Sequence, residues 1–316
     1  MTGGLVTIGE TMALFNQPGV GKLRHMSNLT MGIGGAESNV AIGVARLGLP
    51  AAWIGRVGAD ELGELVLARI RAECVDVSAA LRDPGVATSL MIKERPLPGV
   101  VRVSYYRRGG PGSLLRPSDV DESLVRQAQV LHVSGITPAL SRSALETVRA
   151  SIGLAQDSGV AVSMDVNYRA ALWSAEEAAP VLRDLVRRCD VVFAGGDEAE
   201  LLGVSGEPHE QARGLAGLGP AEAVVKLGAR GAVACVGGVS HTVAPVPVEA
   251  VDAVGAGDAF VAGYLAERML GKPPEERLRT AAACGAFAVS VPGDWEGFPS
   301  RAELDLLTTN QGAVLR

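Results

Sequence analysis

The chain has 316 residues, 35 acidic against 29 basic, for a formal net charge of −6 with no run of five like charges. That balance excludes the basic surface a phosphate-backbone binder needs, so no nucleic-acid partner is expected. Glycine fills 40 positions against 3 Trp, 4 Tyr and 5 Phe, which announces many turns and close approaches and excludes a broad aromatic stacking platform.

In chain order, the first twelve residues carry neither a basic n-region nor an apolar h-region, so no export signal is read and a cytoplasmic location is expected. Short apolar runs follow at Leu5–Ile8, Ala52–Val57, Val130–Val133, Val160–Met164, Val191–Phe193 and Ala223–Lys226, each bounded by Gly, Asp or Pro as buried parallel strands are. Helical patterns alternate with them. Ala36 to Leu47 carries Val40, Val44 and Leu47 on one face and stops at Gly48; Asp60 opens a helix through Glu73 bearing Leu62, Val66 and Ile70. Ser141–Ser158, Ala175–Arg188, His209–Leu218 and Ala259–Gly271 continue the alternation, which implies a parallel sheet covered on both faces.

Two stretches break that rhythm. Residues 11–32 and 86–108 lack a helical stripe and read as strands and turns, the clearest being Thr88–Lys93, a turn at Pro96–Gly99, then Val101–Tyr106. They predict a small antiparallel lid over the open end of the main sheet, leaving 1–10, 33–85 and 109–316 as the main α/β domain. Thr308–Arg316 reads as a frayed tail. The longest interior stretch without an ionised residue, Ala232–Val248, holds His241, Pro245, Pro247 and two glycines and cannot cross a membrane. Cys74, Cys189, Cys235 and Cys284 are far apart with no Cys-x-x-Cys, so buried free thiols are expected and zinc is not. His25, His132, His209 and His241 are equally scattered.

The strongest local signal is Asp252-Ala253-Val254-Gly255-Ala256-Gly257-Asp258 running into a helix. Two glycines at a helix start let backbone N–H groups point at an anion with the helix dipole behind them. Asp258 inside such a cradle has two readings of equal weight on these residues alone: a base that takes a proton from an attacking hydroxyl, or a carboxylate that stabilises the helix start. The dinucleotide fingerprint fails because Phe260 stands where its third glycine belongs; a P-loop fails around Gly21-Lys22, and the protein-kinase motifs are absent. A second signal, Gly34-Gly35-Ala36-Glu37-Ser38-Asn39-Val40-Ala41, opens a helix with amides and the Asn39 carboxamide able to bond the hydroxyls of a polyol.

Together and in this order, the two signals closely resemble the paired signatures of the ribokinase-like (PfkB) carbohydrate kinase family, from Ile8 to Ala302. The resemblance implies a three-layer α/β/α sandwich with a β lid, and phosphoryl transfer from ATP with Mg2+, a monovalent cation being compatible. It makes Asp258 the base and Gly255, Ala256 and Gly257 the amides on the transferring phosphoryl group. It places Lys226, Gly228 and Gly231 near the nucleotide phosphates, with Gly255 and Gly257. Tyr105-Tyr106-Arg107, Asp165-Val166-Asn167-Tyr168-Arg169 and Gly293-Asp294-Trp295-Glu296 further resemble the 2-keto-3-deoxygluconate kinases of the family. That resemblance implies a sugar-acid substrate bound by Gly34, Gly35, Asn39, Tyr105, Arg107, Asp165, Asn167, Arg169 and Asp258. An acidic protein needs local cations for a carboxylate, and bidentate arginine suits it best; the competing reading makes Arg107 and Arg108 a solvated edge pair that blocks aggregation. Family members commonly carry Asn-x-x-Glu where this chain has Gly195-Gly196-Asp197-Glu198. Glu198 then organises the magnesium waters, with Asp197 as compensation for the missing Asn. Two alternatives stay open: a kinase for a neutral sugar such as fructose or ribose, and a non-catalytic sugar or nucleoside sensor. A homo-oligomer is expected through exposed lid edges.

Overall fold

A computed structural model describes residues 3–308; the predicted frayed tail beyond Thr308 lies outside them. An eight-stranded sheet is ordered β14-β13-β12-β11-β10-β9-β1-β4. Its strands are β1 (Leu5–Ile8), β4 (Ala51–Ile54), β9 (Val130–Ser134), β10 (Ala161–Asp165), β11 (Val191–Gly195), β12 (Glu222–Lys226), β13 (Ala232–Val236) and β14 (Val239–Val243). The six from β4 to β12 pair in parallel, and β13 and β14 add an antiparallel edge hairpin. Each strand sends alternate residues to two cores. Trp53, Val191 and Phe193 pack under the helices Ala36–Arg46, Ala256–Met269 and Pro274–Val289. Ile54, Val192 and Ala194 face the helices Arg142–Asp157, Ala175–Val186 and Pro208–Ala216. This is the period-2 reading of strands covered on both faces, and it makes three layers.

The elements predicted for the main sheet and its helices are found within two residues at their ends, except that the helix predicted from Ala259 starts three residues earlier, at Ala256; in the small sheet the strand predicted to end at Lys93 runs on to Leu97, so the turn predicted at Pro96–Gly99 narrows to Pro98–Gly99. Ser141 caps Arg142–Asp157 by accepting from Ala144 N, and Asp60 caps Glu61–Ala72 by accepting from Gly63 N. The run Ala52–Val57, read as one strand, is two. It breaks at Gly55, where a Cβ would lie 2.0 Å from the Trp53 ring and 2.6 Å from Gly9 O. Beyond the break β5 (Arg56–Gly58) leaves the main sheet and pairs in parallel with β6 (Leu81–Asp83). The helix Pro274–Val289 and the β13–β14 hairpin complete the architecture beyond the predicted runs.

The smaller sheet joins β2 (Met12–Asn16), β3 (Thr30–Gly34), β7 (Leu90–Leu97) and β8 (Val100–Tyr106) in the order β3-β2-β7-β8. Its two hairpins are antiparallel, and β2 and β7, which join the two distant parts of the chain, run parallel. Cys189, Cys235 and Cys284 are buried free thiols as expected, but Cys74 is exposed: it follows the helix Glu61–Ala72 in a left-handed conformation, φ +62°, that turns it outward. No helix among the described residues is long and apolar enough to cross a membrane.

Candidate active site

The parallel strands end where the site begins. The chain leaves β1 for β4 on one side and returns with β9 on the other, so the strand order reverses between β1 and β9, where open α/β sheets hold their ligands. Glu10 follows β1, Ser134 ends β9, Asp165 ends β10, Gly195 ends β11 and Lys226 ends β12.

Gly255 sits at φ +78°, the left-handed region, immediately before the helix Ala256–Met269, and a Cβ there would lie 1.7 Å from Asp294 O. Both facts require glycine. No side chain caps this helix, so its first N–H groups are left for an anion. Asp258 is its third residue. Asn39, in the first turn of Ala36–Arg46, donates Nδ2 to Asp258 Oδ2 at 2.8 Å. The two helices pack closely, since a Cβ on Gly43 would meet Ala262 Cβ at 2.5 Å. Burial pushes the Asp258 carboxyl up to about 7; the Asn39 bond pulls it down and nearby Asp165 pushes it further up. A carboxyl poised there can accept a proton near neutral pH.

Beside it, Lys226 Nζ holds both Asp165 oxygens at 2.7 and 2.6 Å. Burial lowers the Lys226 affinity for its proton, but Asp165, Glu198 and Asp258 together raise it, so the ammonium stays charged. Glu198 accepts from Gly195 N at 2.7 Å and Tyr168 N at 2.8 Å, and thereby fixes the Asn167–Arg169 corner. Burial and Asp165 raise its pKa. Asn167 takes φ +39°, a conformation asparagine tolerates.

The opposite wall comes from the small sheet. The Arg107 guanidinium lies 5.6 Å from the Tyr105 ring centre and pairs with buried Glu10, which also accepts from Ser89 Oγ at 3.0 Å. Glu37 lies fully buried with its carboxylate against Gly9, accepting from Ser134 Oγ at 2.7 Å and Thr137 Oγ1 at 2.6 Å. Burial raises both glutamates. Arg169 is exposed at the rim and makes no ion pair among the described residues.

These groups enclose one cavity of about 960 Å3. Gly34, Gly35, Asn39, Tyr105, Arg107, Asp165, Asn167, Arg169, Glu198, Lys226, Gly255, Gly257 and Asp258 all line it. Ala256, Gly228 and Gly231 do not. Ala256 N turns toward Ala253 O at 3.4 Å, and Gly231 is needed by the protein itself, because at φ +88° a Cβ would lie 2.1 Å from Val243 O. Asp197, read as compensation for the missing Asn, is exposed and does not line the cavity. Glu10 and Glu37 also line it, though neither stands out by spacing, Glu37 because polar Ser38 and Asn39 follow it.

Residues 3–301 match the family model described as pfkB family carbohydrate kinase. The chain belongs to that family. The pfkB chain is 34% identical to a 2-dehydro-3-deoxygluconokinase of Bacillus subtilis, covering 98% of this chain and 96% of that one. It is 36% identical to a 2-dehydro-3-deoxygluconokinase of Thermoproteus tenax, covering 96% and 93%. Among solved structures, an E. coli protein in complex with ATP and Mg2+ superposes with a TM-score of 0.89 at 26% identity, covering 97% of this chain and 99% of that one. The pfkB chain is therefore an ATP-dependent carbohydrate kinase of ribokinase-like fold.

No group of three potential metal ligands occurs among the described residues. Two carboxylates, those of Asp165 and Glu198, stand on the cavity wall, where Mg2+ bound through substrate phosphates with most of its waters retained would need one or two.

Proposed function

We propose that the chain transfers the γ-phosphoryl group of ATP to the terminal hydroxyl, O6, of a 2-keto-3-deoxy sugar acid, giving 2-keto-3-deoxy-6-phosphogluconate from 2-keto-3-deoxygluconate. The observation that carries this reading is the polarity of one cavity. A carboxyl near pKa 7 lies at an uncapped helix start on one side, Arg107 and Tyr105 lie on the other, and Arg169 stands at the rim, close enough to Asp258 to pull its carboxyl down.

In this reading the sugar-acid carboxylate and keto group meet Arg107, Arg169 and Tyr105, where charge-assisted bonds are strongest. Gly34, Gly35 and Asn39 line its hydroxylated chain, with Asp165 and Asn167 at the side. The terminal hydroxyl reaches Asp258, gives up its proton to that carboxylate and attacks the γ-phosphorus in line while ADP leaves. Asn39 holds the accepting carboxylate in place. The amides of Gly255 and Gly257 and the helix dipole stabilise the charge that builds on the transferring oxygens. Lys226 stands at the nucleotide side of Asp258 and keeps Asp165 compensated. Asp165 and Glu198 would hold the waters of an ATP-bound Mg2+, which would supply neutralisation of phosphate charge.

One observation favours a second reading, a neutral-sugar kinase: Arg107 is already neutralised by Glu10. Arg169 decides between them, because it makes no ion pair among the described residues. The direct test of the chemistry is Asp258→Asn. With ATP and sugar acid bound normally, turnover should drop by about 10^3-fold or more; wild-type turnover would remove Asp258 as the base.

A further inference from the structure

Two carboxylates to which this reaction gives no role flank the cradle, Asp294 on the cavity wall and Asp252 behind it. Asp252 and Asp294 are both buried, on separate loops, and one buried ammonium stands between them. Lys93 Nζ is 2.7 Å from Asp252 Oδ2, 3.2 Å from Asp294 Oδ1 and 3.5 Å from Gly293 O. Arg95 Nη2 reaches Asp252 Oδ2 from the rim at 3.3 Å. Lys93 is among the largest fully buried side chains of the protein, where an ammonium needs close anionic partners.

The loops it ties together are those that shape the cradle. Asp252 opens the turn, and its Oδ1 accepts from Val254 N at 3.2 Å. The Asp294 carbonyl packs so closely on Gly255 that only glycine fits, and its carboxylate packs on Gly34, where a Cβ would lie 2.4 Å from Oδ2. Lys93 itself belongs to β7 of the small sheet and does not line the cavity. Without Lys93, Arg95 would still pair with Asp252, but buried Asp294 would face Asp252 and Glu296 with no cation beside it, which disfavours its ionised form. The turn would then lose the tie between its two loops. Even with Lys93 present, burial holds the Asp294 carboxyl up at about 6.

We propose that Lys93 is a positioning residue for phosphoryl transfer: its ammonium, delivered from the small sheet, serves as a built-in monovalent cation that ties Asp252 and Asp294 together and fixes the 252–258 turn in its anion-receiving form. The proposal rests on Gly255–Gly257 being the phosphoryl cradle. It also puts on a side chain of the protein the positive charge of the monovalent cation with which the resemblance is compatible.

The test is chemical rescue. Lys93→Ala removes the ammonium and leaves space for a small one. ADP release is measured with ammonium, ethylammonium or potassium chloride, with tetramethylammonium chloride holding ionic strength constant. Wild type should be indifferent to all of them. Lys93→Ala should lose about 100-fold or more in kcat, with a smaller change in sugar KM. Ammonium or ethylammonium should restore at least about tenfold with saturation, and tetramethylammonium nothing. Wild-type kcat in Lys93→Ala, or a folded variant that no small cation restores, overturns the proposal. Because unpaired carboxylates can also impair folding, Lys93→Met/Asp252→Asn removes one charge of each sign. It should fold and still turn over slowly; wild-type kcat there overturns a positioning role as well. Asp258→Asn separates the two readings. If it keeps wild-type turnover, the cradle assignment fails; if it is inactive with and without ammonium while Lys93→Ala stays unrescued, only the Lys93 proposal fails.

Discussion

Removing the Asn39 carboxamide should move the pH dependence of catalysis to higher pH. Asn39 Nδ2 donates to Asp258 Oδ2 at 2.8 Å, and a hydrogen bond to the charged form of a carboxyl holds its pKa down. Burial already holds Asp258 up at about 7, so activity is lost as pH falls through that value, where the carboxylate takes up a proton and can no longer accept one from the sugar. Hydrogen bonds to ionised groups contribute about 1.5–3 kcal/mol, and one pKa unit corresponds to about 1.4 kcal/mol. Asn39→Ala should therefore shift the acid limb up by about one to two units. Near pH 6 the variant should be about 10–100-fold slower than wild type through this effect, and above about pH 9.5 the difference should narrow to whatever binding Asn39 supplies. The assay is ADP release between pH 5.5 and 10, plotted as kcat/KM, which reports groups of the free enzyme. An acid limb that stays in place, or moves to lower pH, refutes the coupling of Asn39 to the base.

Arg169→Ala should raise KM for a sugar acid by about 10–100-fold with kcat changed much less, because the lost contact is to the carboxylate and not to the reacting oxygen; an unchanged KM removes Arg169 from the site. Arg107→Ala should cost stability as well as affinity, since it strands buried Glu10, whereas Arg107→Ala/Glu10→Gln should recover the melting temperature and not the affinity. If the double variant binds like wild type, Arg107 is only a structural partner of Glu10. Gly255→Ala should abolish turnover, with Asp294 O in the way of its Cβ, while Gly228→Ala, at φ +56° in open space, should cost about 1 kcal/mol of stability and leave kcat intact. Equal kinetics in the two variants would contradict the cradle.

The parts of this site that are legible in the sequence are those where local backbone chemistry fixes the outcome. Gly255-Ala256-Gly257-Asp258 is one: a left-handed glycine followed by an uncapped helix is written in four consecutive residues. The alternating strands are another, because burial on both faces leaves an apolar run whatever the partner. What spacing does not reveal is pairing across the chain. Glu10 meets Ser89 and Arg107, Glu37 meets Ser134 and Thr137, and Lys93 meets residues 252 and 294. Each of these reads alone as an ordinary surface charge, and only the topology supplies its partner. Gly231 shows the converse, since the close approach it permits is to Val243 of its own hairpin and not to a ligand. The parallel pairing of β2 with β7 is likewise set by how two distant segments meet.

The central claim is tested most directly by measuring ATP-dependent ADP release with Mg2+ across a panel of 2-keto-3-deoxy sugar acids, neutral sugars and nucleosides. The account predicts the highest kcat/KM for a 2-keto-3-deoxy acid, with 2-keto-3-deoxygluconate phosphorylated on O6. Preference for fructose or ribose over every sugar acid, or no turnover with any of them, would contradict it.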